Sequence, residues 1–171
     1  MVDIRTARVT DAEWFPALEH SAGESFRVIP ELAWIADGGD RSANWYRETV
    51  ARGASWLAVE HGDRVGFLVA EVFGGELHIW EFAVCQDRQR RGIGRALFAA
   101  ALAGARAREL DAITLTTFRD VPWNEALYRR LGFVTLDRGR AGARLEAVLA
   151  AEIERGLPAE RRCAMRLAVK R

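Results

Sequence analysis

The stretch QDRQRRGIGRAL, residues 86–97, constrains the fold more than any other part of the sequence. It follows an apolar run that ends at Val84 and precedes an Ala/Leu-rich helical pattern. A strand, a glycine-rich turn and a helix N-terminus together present unpaired backbone N–H groups and the positive end of a helix dipole. Such a turn is either a plain connection with a solvated basic cluster or a phosphate-binding loop. The rest of the sequence has to decide between these two interpretations.

Composition and charge exclude several classes of protein. The chain has 171 residues, 50% hydrophobic and 29% charged, which is typical of one globular domain over residues 1–171. The net charge of +1 gives no reason to expect a nucleic-acid partner. Cys85 and Cys163 lie outside any CxxC pattern, so we expect buried thiols in a reducing compartment and no metal site. No apolar segment approaches the roughly 18 residues of a membrane span, and the N-terminus lacks a signal peptide's apolar region. We therefore expect a cytoplasmic protein that does not bind membranes.

Strand and helix patterns alternate along the chain in an order that predicts an α/β protein with a mixed sheet. A first strand is followed by two helices and three antiparallel strands, and then by helix, strand, helix, strand, helix and strand. The predicted strands are residues 3–8, 55–60, 64–73, 76–84, 112–118, 133–137 and 163–170. The first predicted helix begins at Asp11, after a capping box formed by Thr10 and Glu13. The other predicted helices cover residues 41–52, 93–110, 124–133 and 143–157. Residues 23–40 are predicted to form a partly helical loop.

The glycine stretch can be compared with three phosphate-binding motifs. A P-loop needs GxxxxGK[ST], which is absent, and a dinucleotide-binding fingerprint needs a small residue where Leu97 stands. The remaining pattern is Gln89 to Gly94, of the form [QR]-x-x-G-x-[GA]. It resembles the pyrophosphate-binding motif of the GNAT superfamily, the acyl-CoA-dependent N-acetyltransferases.

Further segments carry the same resemblance over nearly the whole chain. HIWEFAV resembles the family's fourth strand, and NEALYRRLGF resembles its late Asn-x-x-x-Tyr-x-x-x-Gly-Phe signature. The IRTARVTD opening and the order of elements match as well. The resemblance implies a GNAT-like fold with a mostly antiparallel sheet of about seven strands, flanked by helices and splayed to hold acyl-CoA. It implies an acetyl-CoA-dependent acyltransferase that acts on an amine.

The resemblance also implies how acetyl-CoA is held. The amides from Arg90 to Arg95 wrap the pyrophosphate, and the main chain around Phe82 and Val84 pairs with the pantetheine arm. Asn124 hydrogen-bonds the cofactor from the opposite wall, or caps the helix that it opens, or does both. The predicted cofactor-binding residues are Phe82, Ala83, Val84, Gln89, Arg90, Arg91, Gly92, Ile93, Gly94, Arg95, Asn124 and Tyr128.

Tyr128 occupies the family position of the general acid. Acyl transfer from a thioester to an amine expels a thiolate, and a phenol within reach of that sulfur can donate its proton. The alternative is an aromatic side chain that anchors its helix. The attacking amine must also lose a proton, for which His78, Glu81 and a water chain are alternative bases. Strict strand alternation predicts that His78, Trp80 and Phe82 share one face and that Glu81 lies on the other.

The acceptor site is expected in the segment between the first two helices. Glu24, Phe26 and Trp34 are the predicted substrate-binding residues, since aromatic rings with a carboxylate suit a small amine; Glu19 and Ile29 lie nearby. The alternative is that these rings only pack the helices onto the sheet. The helix at 143–157 is expected either to cover the sheet or to form a homodimer interface. A non-catalytic acyl-CoA-binding or sensing module and a protein or peptide N-acetyltransferase remain the alternative functions.

Overall fold

One mixed sheet organises the chain. The computed structural model describes residues 1–38 and 41–169. Within these residues, seven strands form the sheet in the order β1-β2-β3-β4-β5-β7-β6. The strands are Val2–Thr6 (β1), Ala54–Glu60 (β2), Asp63–Phe73 (β3), Glu76–Val84 (β4), Ala112–Phe118 (β5), Val134–Thr135 (β6) and Arg162–Ala168 (β7). The predicted α/β class and the predicted order of strands and helices along the chain are confirmed.

Five α-helices accompany the strands in the described part of the chain. They are Phe15–Gly23 (α1), Ala43–Ala51 (α2), Ile93–Ala107 (α3), Glu125–Arg130 (α4) and Ala143–Glu154 (α5). Between α1 and α2 lie two 3₁₀ segments, Glu24–Val28 and Pro30–Asp37, as the mixed composition of that loop predicts. Among the described helices, none is both long and apolar enough to cross a membrane.

The sheet separates two apolar layers. On one face, α3 packs Leu97, Phe98 and Ala101 against β-strand residues such as Leu77 and Leu115 in the larger core. On the opposite face, α1 and α2 cover β2, β3 and β4, and there the ring of Phe15 stacks on Phe67 at 4.2 Å. Helix α5 covers β7 on that second face through Leu145, Leu149 and Ala164. The two layers fix β4 and β5 at the centre of the molecule.

The pairing of β4 with β5 positions the site. Every other strand pair is antiparallel, but β4 and β5 run parallel and pair only from Glu76 to Ile79 on β4 and from Ala112 to Leu115 on β5. Beyond those residues the two strands diverge, while β4 continues to Val84 and β5 to Phe118. The structure therefore contains the predicted splay.

Strand β4 contains a bulge that corrects the predicted alternation. Ile79 pairs with Ala70 and Glu81 pairs with Val69, so Trp80 is an extra residue on β4. The extra residue reverses the phase of the side chains that follow it. Phe82 consequently joins the core under α3, whereas Glu81 lies with His78 on the face covered by α1 and α2. The prediction that placed Phe82 with His78 and Glu81 opposite them was wrong.

Other boundaries differ from the predictions for local reasons. The first helical residues form a 3₁₀ segment, Val9–Trp14, and its cap is the Asp11 carboxylate, which accepts the Arg8 N–H at 2.7 Å; the predicted Thr10 and Glu13 capping box is not the one formed. The sixth strand is reduced to Val134–Thr135. Gly39 and Asp40 of the predicted loop, and Lys170 of the predicted last strand, lie outside the described residues.

Candidate active site between the diverging strands

The free edge of β4 faces the opening between the strands. Cys85 donates its backbone N–H to Val65 of β3, so alternation along an antiparallel ladder turns the main-chain groups of Phe82 and Val84 away from β3. Since β5 has diverged at this level, these groups can pair with an extended ligand. Ala83, also predicted to bind the cofactor, turns its main chain toward Phe67 of β3 and buries its side chain. Ala83 therefore does not contribute to the open edge.

The loop after β4 forms a concave array of amides. Arg90 and Gly92 both have left-handed backbone conformations, with φ of 61° and 83°, which turns successive N–H groups toward one side. Gly92 is also the N-cap of α3, so the first turn of a 15-residue helix continues the array. In the described part of the chain, no N–H from Arg90 to Arg95 donates to a backbone acceptor. These features match what a pyrophosphate requires.

The arginines around this loop divide into two groups. Arg88 donates to Glu60 at 2.7 Å and also approaches Asp63 and Asp87, and Arg91 lies 4.0 Å from the same Glu60. Arg90 and Arg95 are exposed and have no ion pair within residues 1–38 and 41–169. Arg90 and Arg95 are therefore the arginines of this loop best placed to bind a phosphate.

The Gln89 side chain connects the loop to its surroundings. Its amide nitrogen donates to the Val84 carbonyl at 3.1 Å, and its amide oxygen accepts from Ser25 at 3.4 Å. The Val84 carbonyl is one of the groups on the open edge of β4. Gln89 thus links that edge to the 3₁₀ segment that follows α1.

Tyr128 lies across the opening from β4. Its ring is 6.5 Å from the Phe82 ring and 5.7 Å from the Phe133 ring, and it packs against the core under α3. Burial raises the pKa of the Tyr128 phenol, and the negative charge of Glu81 raises it further, while Arg162 acts in the opposite direction. The phenol therefore stays protonated at neutral pH, as a proton donor must.

Asn124 begins the helix that carries Tyr128. Its side chain makes no capping hydrogen bond, and its backbone has the irregular values φ −113° and ψ −102°. The purely structural alternative, a side-chain N-cap, is therefore not realised. The Asn124 amide is therefore not engaged in capping α4.

Glu81 and His78 share a face but differ in accessibility. The Glu81 side chain is 27% exposed, and Arg41 approaches its Oε2 at 3.8 Å. His78 is fully buried, its Nδ1 lies 3.0 Å from Thr114 Oγ1, and the Trp80 ring covers it at 4.4 Å. Burial, together with the positive charges of Arg144 and Arg41, lowers the pKa of His78 to about 3. Of these two candidate bases, Glu81 is accessible and His78 is not.

The predicted acceptor residues are only partly brought together. Glu24 accepts two hydrogen bonds from Arg27 at 2.7 and 3.0 Å, which lowers the pKa of its carboxyl. Phe26 reaches the end of β5, where its ring lies 5.5 Å from Phe118 and 5.6 Å from Trp123. Trp34 is 44% exposed. Glu19, another carboxylate of this region, accepts the Tyr46 hydroxyl at 2.5 Å.

Sequence reasoning missed the residues that surround Glu81. Arg41, Trp45 and Trp80 meet on this face: the Arg41 guanidinium carbon lies 4.1 Å from the Trp45 ring centre and 5.5 Å from that of Trp80. Two features of the sequence indicated this cluster. Arg41 and Trp45 have the i, i+4 spacing of neighbours on a helix, and Trp80 lies within a predicted strand. Only the bulge places Trp80 beside Glu81, and no pattern in the sequence predicted it.

Helix α5 is attached to β5 through threonines. Arg144 donates to Thr114 at 3.0 Å and to Glu76 at 2.7 Å. Thr116 donates to Glu152 at 2.5 Å, and the same carboxylate accepts Arg162 at 3.0 Å. The threonines of β5 therefore bind α5. This contact gives α5 the first of its two predicted roles, covering the sheet.

Comparison with known proteins agrees with this geometry. The sequence matches the model of the Acetyltransferase (GNAT) family over residues 15–133. A mycothiol acetyltransferase from Clavibacter michiganensis subsp. michiganensis is 40% identical over 72 residues. That stretch is 42% of this chain and only 24% of the relative, so most of the relative's length has no counterpart in the match.

Solved structures share the fold along the chain at low sequence identity. The ribosomal-protein-S18-alanine N-acetyltransferase from Escherichia coli superposes with a TM-score of 0.71 at 18% identity, covering 100% of this chain and 96% of that one. The PaiA N-acetyltransferase from Thermoplasma acidophilum, in complex with coenzyme A, gives 0.72 at 13% identity, covering 98% and 99%. With the family match over most of the chain, these findings place the protein among the acyltransferases, and it belongs to the GNAT acetyltransferase family.

Proposed function

We propose that this protein transfers an acetyl group from acetyl-CoA to the primary amine of a small molecule, by direct transfer in a ternary complex. The observation that carries the proposal is the open edge of β4 beside the amide array of the following loop. Phe82 and Val84 offer main-chain partners to an extended arm, and the amides from Arg90 to Arg95 lie at its end. This combination fits a long ligand with a pyrophosphate in its middle.

The residues present fit coenzyme A, whose thioester supplies an activated acetyl group when bound. Arg90 and Arg95 would add charge around the pyrophosphate, since neither is engaged in an ion pair within the described residues. Gly92 adopts φ of 83°, a conformation that other residues rarely take, and so keeps the array concave. Asn124, which makes no capping bond, would bind from the opposite wall.

Tyr128 acts as the general acid in this proposal. Its position next to Phe82 and its raised pKa support a role as a phenol that donates a proton to the leaving thiolate. The amine nitrogen loses two protons overall. One is balanced by the proton that the thiolate gains, and the other is released to solvent.

Glu81 is the base that the geometry favours. It is accessible and lies on the sheet face that α1 and α2 cover. Its negative charge raises the pKa of Tyr128. A primary ammonium has no lone pair, so attack on the acetyl carbonyl requires that a base or a water chain first remove a proton. His78 would accept that proton only with difficulty, because its pKa lies near 3 and its ring is covered.

Two further observations support direct transfer to a small acceptor. Burial raises the pKa of the Cys85 thiol, and that of Cys163 to about 11, so neither offers a thiolate for an acetyl-enzyme. The segment between α1 and α2 packs Phe26 and Leu32 against Phe118, Val121 and Trp123. This contact holds the segment between α1 and α2 against the end of β5, and we take it to favour a small acceptor.

The test is CoA release from acetyl-CoA against a panel of aralkylamines, polyamines, amino acids, aminoglycosides and peptides, with mass spectrometry of the products. We expect an N-acetylated product from one class of small amine. Peptides alone as acceptors would contradict the small-molecule part of the proposal. Acetyl-CoA binding without turnover on any acceptor would favour a binding module instead.

A further inference from the structure

A cation already occupies an aromatic cage on the acceptor side of β4. The cage consists of the indoles of Trp45 and Trp80 and the carboxylate of Glu81. The two indole rings are nearly perpendicular, at 87°, with centres 6.3 Å apart. The Arg41 guanidinium lies between them, 4.1 and 5.5 Å from the ring centres, and its Nε is 3.8 Å from Glu81. Two aromatic faces and one carboxylate are the elements that bind organic ammonium ions in proteins.

The walls of the cage are fixed independently of Arg41. Trp80 donates its indole N–H to Glu71 at 3.1 Å, and Phe73 and His78 pack against its ring. Trp45 receives support from the Tyr46 ring at 5.2 Å and donates its backbone N–H to Ser42. The cage therefore persists when Arg41 leaves, and it can accept another cation of similar size.

Arg41 itself is weakly held by hydrogen bonds. Its side chain is only 13% exposed, yet within the described residues its shortest hydrogen bond is 3.5 Å, to the Trp80 carbonyl. By contrast, the exposed Arg27 makes three hydrogen bonds of 2.7 to 3.0 Å. Arg41 also directly precedes Ser42, the N-cap of α2, and a helix dipole disfavours a cation near its N-terminus. Among the described residues, the two rings and Glu81 are therefore the main groups that attract it.

We propose that the cage of Trp45, Trp80 and Glu81 is the ammonium site for the acceptor, and that Arg41 fills it as an internal competitor until an acceptor displaces it. As an acceptor site, the cage rests on the proposed function. A cationic amine that enters the cage is placed against Glu81, the base. Neutral acceptors do not compete for the two indole faces, so the cage selects cationic amines.

The experiment measures cation binding without acetyl transfer. Tetramethylammonium, which cannot be acetylated, is titrated into the protein at constant ionic strength, and the indole N–H signals of the six tryptophans are followed by NMR. Spectra of Trp45→Phe and Trp80→Phe assign the two cage signals. We expect Arg41→Gln to bind tetramethylammonium about tenfold more tightly than the wild type, because the competing cation is gone. If Arg41→Gln does not fold, Arg41→Met is used in its place.

Arg47→Gln is the matched control, because Arg47 is exposed on α2, the helix that follows Arg41, and its replacement removes the same charge. It should leave the affinity at the wild-type value. Adding Trp80→Phe to Arg41→Gln should weaken binding again, since phenyl is a poorer cation partner than indole. Unchanged affinity in Arg41→Gln, or equal tightening in Arg47→Gln, would overturn the proposal.

A second arm uses any amine acceptor found in the CoA-release panel. Arg41→Gln should lower the KM for a cationic acceptor. A higher KM would mean that Arg41 binds the acceptor rather than competes with it, which would also overturn the inference. The NMR titration needs no turnover, so it still tests the cage if the protein does not acetylate amines. Conversely, a failure of tetramethylammonium to bind would contradict the cage without contradicting acetyl transfer.

Discussion

Replacing His78 tests the electrostatics of the site without any knowledge of the acceptor. His78 is fully buried, and its pKa is lowered to about 3, first by burial and then by the positive charges of Arg144 and Arg41. In the unfolded chain its pKa is about 6.5. Protonation therefore favours the unfolded state. The stabilisation from keeping His78 neutral is complete above about pH 6.5 and is lost as the pH falls toward 3.

The magnitude follows from proton linkage. Between these two pKa values the unfolded state binds one more proton than the folded state, so the free energy of unfolding falls by about 1.4 kcal/mol per pH unit. From pH 7.5 to pH 5.0, His78 alone should lower the free energy of unfolding by about 2 kcal/mol. The result depends little on the folded-state pKa, because pH 5.0 lies well above 3.

The assay is urea unfolding of the wild type and His78→Asn at both pH values. Asparagine keeps a polar atom for Thr114 but does not titrate, so the pH-dependent loss should be about 2 kcal/mol smaller in the variant. Carboxylates titrate in both proteins and cancel in the difference. His61→Asn, at an exposed turn position, should behave like the wild type. An equal pH dependence in wild type and His78→Asn would show that His78 is solvated, and would restore it as a base.

Three further predictions concern stability and cofactor binding. Glu152→Gln leaves Arg162 buried beside a neutral partner and should destabilise the protein by about 3 kcal/mol in urea unfolding, whereas the exposed Glu154→Gln on the same helix should have little effect. Gly104→Ala places a Cβ 2.5 Å from the buried Trp56 ring, so overpacking should exceed the helix-propensity gain and lower stability by about 1 kcal/mol in the same assay. Replacing Arg90 and Arg95 together by glutamine should weaken acetyl-CoA binding, measured by calorimetry, and flatten its salt dependence, whereas Arg106→Gln at the far end of α3 should do neither.

Much of the fold was readable because local patterns and tertiary structure agree. Strand β4 and the start of α3 lie at their predicted residues, since apolar runs, glycines and helical spacing all mark them. Gly132 ends α4 with φ of 99°, as a C-terminal glycine should. The interest in Tyr128 came instead from the resemblance to the GNAT family, and its ring lies 6.5 Å from that of Phe82 on β4.

The parts of the fold and the site that the sequence did not predict depend on interactions between residues far apart in the chain. The bulge at Trp80 arises from pairing with β3, so alternation along β4 alone put Glu81 on the wrong face. Glu24 is engaged because Arg27 is three residues away and Asp37 closes the network, an arrangement visible only in three dimensions. The attachment of α5 to the β5 threonines likewise joins residues 30 or more positions apart.

Tyr128→Phe tests the central claim most directly, that the opening beside β4 is a site of acetyl transfer with Tyr128 as its acid. The measurement compares kcat, with the best acceptor from the panel, and the acetyl-CoA dissociation constant in variant and wild type. The ring and its contacts with Phe82 and Phe133 remain in the variant, so we expect an unchanged dissociation constant and a kcat about 100-fold lower. Equal kcat values in the two proteins would contradict the assignment of Tyr128 and the chemistry built on it.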